Sequence, residues 1–171
     1  MPDVPEGFAE FVAARSPSLL RTAWLLTGDS GLAEDLLQTV LARVWWRWPR
    51  ICAGGDPESY LRRVLYTTYL TWWRRRWRGE LPSARPPDAA DRADLADDSA
   101  ARDAVRRALA RLTARQRAVV VLRFVEDRSV AETAAILGCT TGTVKTQTSR
   151  ALNALRADAD LLSLLTEGAE R

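Results

Sequence analysis

Residues 70–80 read LTWWRRRWRGE, and Trp72 to Arg78 place three tryptophans and four arginines in seven positions. Indole rings stack on unpaired bases, and guanidinium groups hold phosphates. The mixture is the chemistry of single-stranded nucleic acid. A second stretch, 129–152, reads SVAETAAILGCTTGTVKTQTSRAL. It brings Thr141, Thr143, Lys145, Thr146, Gln147 and Arg150 into little more than two helical turns. Glutamine pairs with adenine, lysine and arginine with guanine or phosphate, and threonine hydroxyls reach either, so this set suits duplex DNA read in the major groove.

Other chemistries find no residues. The chain has no histidine, which removes histidine acid–base catalysis, and its two cysteines, Cys52 and Cys139, fall short of a four-ligand zinc site. No glycine-rich phosphate loop and no nucleophile–base pair is present. A carboxylate-based nuclease would need fixed acidic pairs, but the acidic residues concentrate in a connector. The expectation is a protein that is not an enzyme and needs no cofactor and no metal.

Charge points the same way. The net charge of +3 hides an alternation: 1–41 carries −4, 42–78 carries +7, 79–103 carries −4 and 104–171 carries +4. Two basic surfaces flank an acidic connector, which fits nucleic acid, although solvated helix faces give the same pattern. No apolar run reaches the ~18 residues of a membrane span. The start MPDVPEGFAEF lacks the basic-then-apolar order of a secretory signal, so the expected location is cytoplasmic.

The elements that must hold these residues are helices, because 3.6-residue periodicity recurs and alternating β-branched runs do not. A first helix is expected over Phe8–Thr27, a turn at Gly28–Gly31, and a second helix over Leu32–Trp48, ending before Pro49. A Gly/Pro loop, Pro49–Ser59, precedes a third helix over Pro57–Arg78. Residues 79–101, with three prolines and many alanines, read as a flexible acidic linker. At full extension it spans about 75 Å, so two domains can hold separate sites on one DNA. Helices follow from Arg102 to Leu112, from a Thr113–Gln116 capping box to Val125, from a Ser129–Glu132 box to Leu137, and from Thr141 to Asp158. Ala134 is small where two helices cross, Gly138 allows positive φ in the turn, and Val144 and Leu152 pack back. Together they read as a helix-turn-helix.

A wheel of the third helix separates what the sequence mixes. Leu61, Val64, Leu65, Thr68 and Trp72 form a core face. Tyr66, Leu70, Trp73 and Trp77 form an adjacent flank, and Arg63, Thr67, Arg74 and Arg78 the opposite one. Arg62 and Arg75 border the core face. Either the aromatic flank stacks bases, or Trp73 and Trp77 pack on the first helix under arginine stems.

The segments AEDLLQTVLARVWWRW, YLRRVLYTTYLTWWRRR and LTARQRAVVVLRFVEDRSVAETAAILGCTTGTVKTQTSRALNALR, in this order, resemble extracytoplasmic-function (ECF) sigma factors of the sigma-70 family, in particular the short actinobacterial type. The resemblance implies an all-α fold of two small helical domains. Residues 8–78 would be the region 2 bundle, 79–101 the linker, 102–157 the region 4 helix-turn-helix, and 158–171 a tail. It also implies partners: core RNA polymerase, through its β′ clamp helices and β flap, promoter DNA, and an anti-sigma factor. Asp35, Gln38, Thr39, Arg43 and Trp45 would face the clamp. Arg62, Arg63, Thr67, Trp73, Arg74, Arg75, Arg76, Trp77 and Arg78, with the loop before them, would open and read the −10 element. Thr141, Thr143, Lys145, Thr146, Gln147 and Arg150 would read the −35 element. The family often has Asn near the middle of the third helix, where this chain has Thr67. The alternative is a stand-alone helix-turn-helix regulator, which would bind a duplex tightly by itself and as a dimer.

Overall fold

The computed structural model describes residues 4–77 and 98–157. Arg78, most of the expected linker and the tail from 158 lie outside the described residues, as does the side chain of Trp77. Among the described residues the fold is all-α, and no helix is long and apolar enough to cross a membrane.

Helix α1 runs Phe8–Thr27 and stops at Gly28, whose φ of 72° places it in the left-handed region that glycine tolerates. Asp29 then caps α2 (Ser30–Trp45) by accepting from the Leu32 N–H at 2.7 Å. The two helices form a hairpin that buries Leu19, Ala23 and Leu26 against Ala33, Leu36, Leu37, Val40 and Val44. Each fully buried leucine or valine contributes about 1.5–3 kcal/mol. Helix α2 ends earlier than the periodicity predicts. The expected loop instead contains a short helix, α3 (Trp48–Ala53), with Pro49 in its first turn, where the missing N–H costs nothing. Aromatic packing turns the chain here: Phe8 meets Trp45 and Trp48 edge-on at 5.0 and 5.1 Å, and the Trp48 indole donates to the Glu6 carbonyl at 3.0 Å. Helix α4 (Pro57–Trp77) closes the bundle.

Helix α5 (Asp98–Ala110) begins four residues before the expected Arg102. An aspartate followed by Ser99–Ala100–Ala101 favours a helix start, and the acidic composition of the connector disguised it. Helix α6 (Ala114–Val120) carries the Thr113–Gln116 capping box, then widens into a π-helical turn, Val121–Val125, where an unbroken α-helix was expected. Helices α7 (Val130–Leu137) and α8 (Thr141–Arg156) form the helix-turn-helix. Ser129 and Glu132 form the second capping box, Ala134 is buried at the crossing, and Gly138 takes φ 64°. Val144 is fully buried, and Leu152 is half-buried.

The two halves do not sit apart. One apolar core runs from Leu61, Leu65, Tyr66 and Tyr69 of α4 to Ala118, Val119, Val121, Leu122, Ala134 and Leu137 of the second half. Helix α4 packs on α6 and α7, and α1 packs on α5, α6 and the π turn. Arg117 of α6 crosses the seam. Its Nε donates to the Leu109 carbonyl at 2.9 Å and its Nη1 to the Leu26 carbonyl, at the end of α1, at 2.6 Å. The guanidinium thereby caps a helix C-terminus contributed by the other half.

Truncating Leu36, fully buried in the hairpin, to alanine is expected to cost about 2–5 kcal/mol in urea unfolding. Trp46→Ala, at a position 75% exposed, is expected to stay within about 0.5 kcal/mol of wild type in the same assay.

Candidate nucleic-acid interface

Helix α8 presents Thr141, Lys145, Thr146 and Arg150 to solvent, while Val144 and Ala151 anchor its inner face. Thr140 caps it, accepting from the Thr143 N–H at 3.1 Å, and its hydroxyl also meets the Thr143 hydroxyl at 3.0 Å. Thr143 and Gln147 are half-buried, at the edge of the exposed face. A hydroxyl-rich, capped N-terminus with a lysine one turn in attracts anions and is narrow enough for a major groove. Beside it lies a concavity of about 350 Å³ lined by Arg123, Lys145, Ser149, Asn153 and Arg156 among others. Neither Arg123 nor Arg156 is among the residues expected from the sequence; Arg123 reaches this face through the π turn, and Arg156 is the last residue of α8 itself.

Helix α7 is fixed at its N-terminus by its capping box. Glu132 accepts from the Ser129 N–H at 2.7 Å, and the Ser129 hydroxyl accepts from the Glu132 N–H at 3.1 Å. Hydrogen bonds from the Ser129 backbone, and then from its side chain, hold the Glu132 carboxyl below its ordinary value.

On α4, Arg63, Thr67 and Arg74 are exposed along one side, with Arg75 exposed beside them. The Thr67 hydroxyl is turned back to the Arg63 carbonyl at 2.9 Å. The aromatic flank is partly occupied. Trp73 is half-buried, stands edge-on to Tyr69 at 6.3 Å, and carries the Arg76 guanidinium 5.6 Å from its ring centre. Trp72 is half-buried and Thr68 fully buried, as their place on the core face requires, but Tyr66 is also fully buried. Arg62 differs from the other arginines. It lies inside the seam, with Nη1 2.7 Å from Glu126 Oε2 and Nη2 3.1 Å from Glu58 Oε1. The Tyr66 hydroxyl is buried nearby. Burial first, and the Glu126 carboxylate second, hold its pKa well above that of a free tyrosine. Burial likewise pushes Tyr69 up to about 12.

Helix α2 shows a third surface. Asp35 and Gln38 are exposed, and Thr39 is half-buried with its hydroxyl on the Asp35 carbonyl at 2.8 Å. Arg43 is exposed but tethered through Nη1 to the Thr68 hydroxyl at 2.9 Å. Trp45, singled out in the sequence, is half-buried against Phe8, and its neighbour Trp46 is the exposed ring. The stripe 35, 38, 39, 42, 46 follows helical spacing, which was the available signal for Trp46.

Two family models match the chain in the order of these surfaces. Sigma-70 region 2 matches residues 11–79, and Sigma-70, region 4 matches residues 102–155. An RNA polymerase sigma-E factor of Streptomyces antibioticus is 42% identical over 164 residues, covering 96% of this chain and 91% of its own. The chain belongs to the sigma-70 family as an ECF sigma factor. It directs transcription initiation, and the stand-alone regulator is not the reading these relatives support. The sigma factor is also 34% identical over 145 residues to ECF RNA polymerase sigma factor SigL of Mycobacterium tuberculosis, which it matches over 81% of its own length and 80% of the relative's. It is similar to the sigma factor RpoE solved in complex with the anti-sigma factor NepR from Bartonella quintana. The TM-score is 0.67 at 28% identity, over 92% of this chain and 98% of that one.

The capping box gives a pH test. A carboxyl whose folded pKa is depressed contributes stability above its unfolded pKa and loses it as pH falls through the folded one. Thermal melts are therefore expected to decline as pH drops below the ordinary value of 4.5, and Glu132→Gln should flatten that part of the profile.

Proposed function

We propose that this sigma factor divides its work among the three surfaces. Helix α8 reads the −35 element as duplex through Thr141, Thr143, Lys145, Thr146, Gln147 and Arg150. The exposed flank of α4, with Arg63, Thr67, Arg74 and Arg75, engages the melted −10 element. Arg62, Trp73, Arg76, Trp77 and Arg78 act on that strand as well. Helix α2 meets core RNA polymerase at the β′ clamp through Asp35, Gln38, Thr39, Arg43 and Trp45, joined by Trp46. The second half meets the β flap, the action is cytoplasmic, and the protein performs no catalysis of its own. An anti-sigma factor is the regulator expected, as in the complex solved for RpoE of Bartonella quintana.

The observation that carries this reading is the separation of the surfaces. Exposed α8 hydroxyls and cations, an arginine flank on α4 and a stripe on α2 ending in an exposed tryptophan are three faces with different chemistry. A tryptophan 75% exposed, just past the end of α2, is the kind of side chain that dominates protein interfaces. Two basic faces on one chain match two elements on one promoter.

Run-off transcription with core polymerase on promoter fragments tests it. The protein should create discrete start sites that core enzyme alone lacks, and no new start would overturn the reading. Lys145→Ala and Arg150→Ala should each cut −35-dependent transcription about tenfold while core binding stays intact. Trp46→Ala should weaken core binding about tenfold or more in a pull-down or fluorescence assay and leave duplex binding unchanged.

A further inference from the structure

We propose that Glu126 is an intramolecular latch: its carboxylate closes the two domains on each other by occupying Arg62, and thereby keeps that arginine from nucleic acid. The closure stands on the seam alone. The masking rests on the reading of Arg62 as a −10 contact.

Both carboxylate oxygens of Glu126 are used, each by the other domain. Oε2 accepts from Arg62 Nη1 at 2.7 Å, and Oε1 accepts from the Thr22 hydroxyl at 2.9 Å. Thr22 lies on α1 and Arg62 on α4, so one side chain ties the second domain to two helices of the first. The Glu126 and Arg62 side chains are 7% and 10% exposed. The network extends outward through Glu58, which takes Arg62 Nη2 at 3.1 Å and Arg15 at 3.0 Å. A carboxylate presents the same pair of acceptor oxygens to a guanidinium that a phosphate does, so Glu126 and a DNA strand compete for one donor.

The backbone explains how the carboxylate reaches the seam. The π turn Val121–Val125 widens the helix end, leaves Phe124 and Val125 half exposed, and lets the next residue turn inward. Asp127 follows at φ 52°, a left-handed conformation that a residue with a side chain takes at some cost. π turns and such outliers gather where a side chain must be aimed.

The seam is also poor at holding itself shut. The Arg62 Nε and the Thr133 hydroxyl are buried with no hydrogen-bond partner among the described residues. Unpaired polar groups oppose burial, and a buried ion pair repays little beyond its own desolvation. Its value lies in specifying one arrangement, while loss of one partner strands the other charge. Such a contact suits a state that closes specifically and opens readily.

The test uses the full chain. Dyes are placed on Cys52, exposed in the first domain, and on Asn153→Cys, exposed in the second, with Cys139→Ser removing the other thiol. Single-molecule energy transfer should show the wild type mainly closed. Glu126→Lys should raise the low-transfer population about tenfold or more at unchanged helical circular dichroism, and Arg62→Glu added to it should restore closure. If Glu126→Lys loses helix, Glu126→Gln is read instead and should open several-fold. Transfer unchanged in a folded Glu126 variant, or no restoration by the swap, overturns the latch. The second readout is anisotropy of a labelled single strand of roughly 12 nucleotides. Glu126→Gln should bind it about fivefold more tightly, and adding Arg62→Met should remove that gain. Opening without any gain in strand binding overturns the masking of Arg62 while leaving closure standing.

Discussion

Among the described residues two arginines, Arg62 and Arg117, go into the core, and a guanidinium cannot lose its proton to escape the cost of leaving water. Each must therefore bring partners with it. Arg117 uses the carbonyls of Leu109 and Leu26, and Arg62 uses the carboxylates of Glu126 and Glu58. In both cases at least one partner comes from the other half of the chain. The seam between the halves is consequently registered by polar contacts, with the apolar core of Leu61, Leu65, Val121 and Leu122 filling the space around them.

The same accounting explains the division of α4. Its inner positions supply the core of the first half and the floor on which α6 and α7 sit. Its outer side keeps Arg63, Arg74 and Arg75 in water. A helix that packs on two sides has only a narrow strip left for solvent, which is why tryptophans and arginines alternate along it. Trp73 sits at the boundary, edge-on to Tyr69 and covered by Arg76, so stem packing and cation–π contact share one ring. Trp73 is half-buried, and its ring contact is with Tyr69 of its own helix.

Local signals made most of the elements legible. Glycine at Gly28 and Gly138, the Thr113–Gln116 and Ser129–Glu132 boxes and the small Ala134 act within a few residues, and each worked as its chemistry requires. The misplacements are also local in cause. Pro49 opened a helix because the first turn does not need its N–H, and the acidic alanine-rich approach to α5 concealed a helix start. The exposed face of α8 was readable for the same reason: periodicity decides which side an isolated amphipathic helix turns to solvent. The choice between Trp45 and Trp46 was not. One register of α2 satisfies either ring, and only Phe8, arriving from α1, selects Trp45 for packing.

By itself, then, the sequence determined the helices, their caps, the helix-turn-helix and the family, because these rest on spacing within one element or on the order of motifs. Tertiary structure decided what depends on contacts between residues far apart in the chain. The periodicity of α4 put Arg62 at the border of its core face, with nothing to say whether water or a carboxylate would meet it there. The π turn and the left-handed Asp127 deliver Glu126 to that border, 64 residues away. Two basic domains on a long connector are free to stand apart on grounds of charge. They come together here because burying α4 on both sides places Arg62 inside the seam, where Glu126 of the second half is its partner.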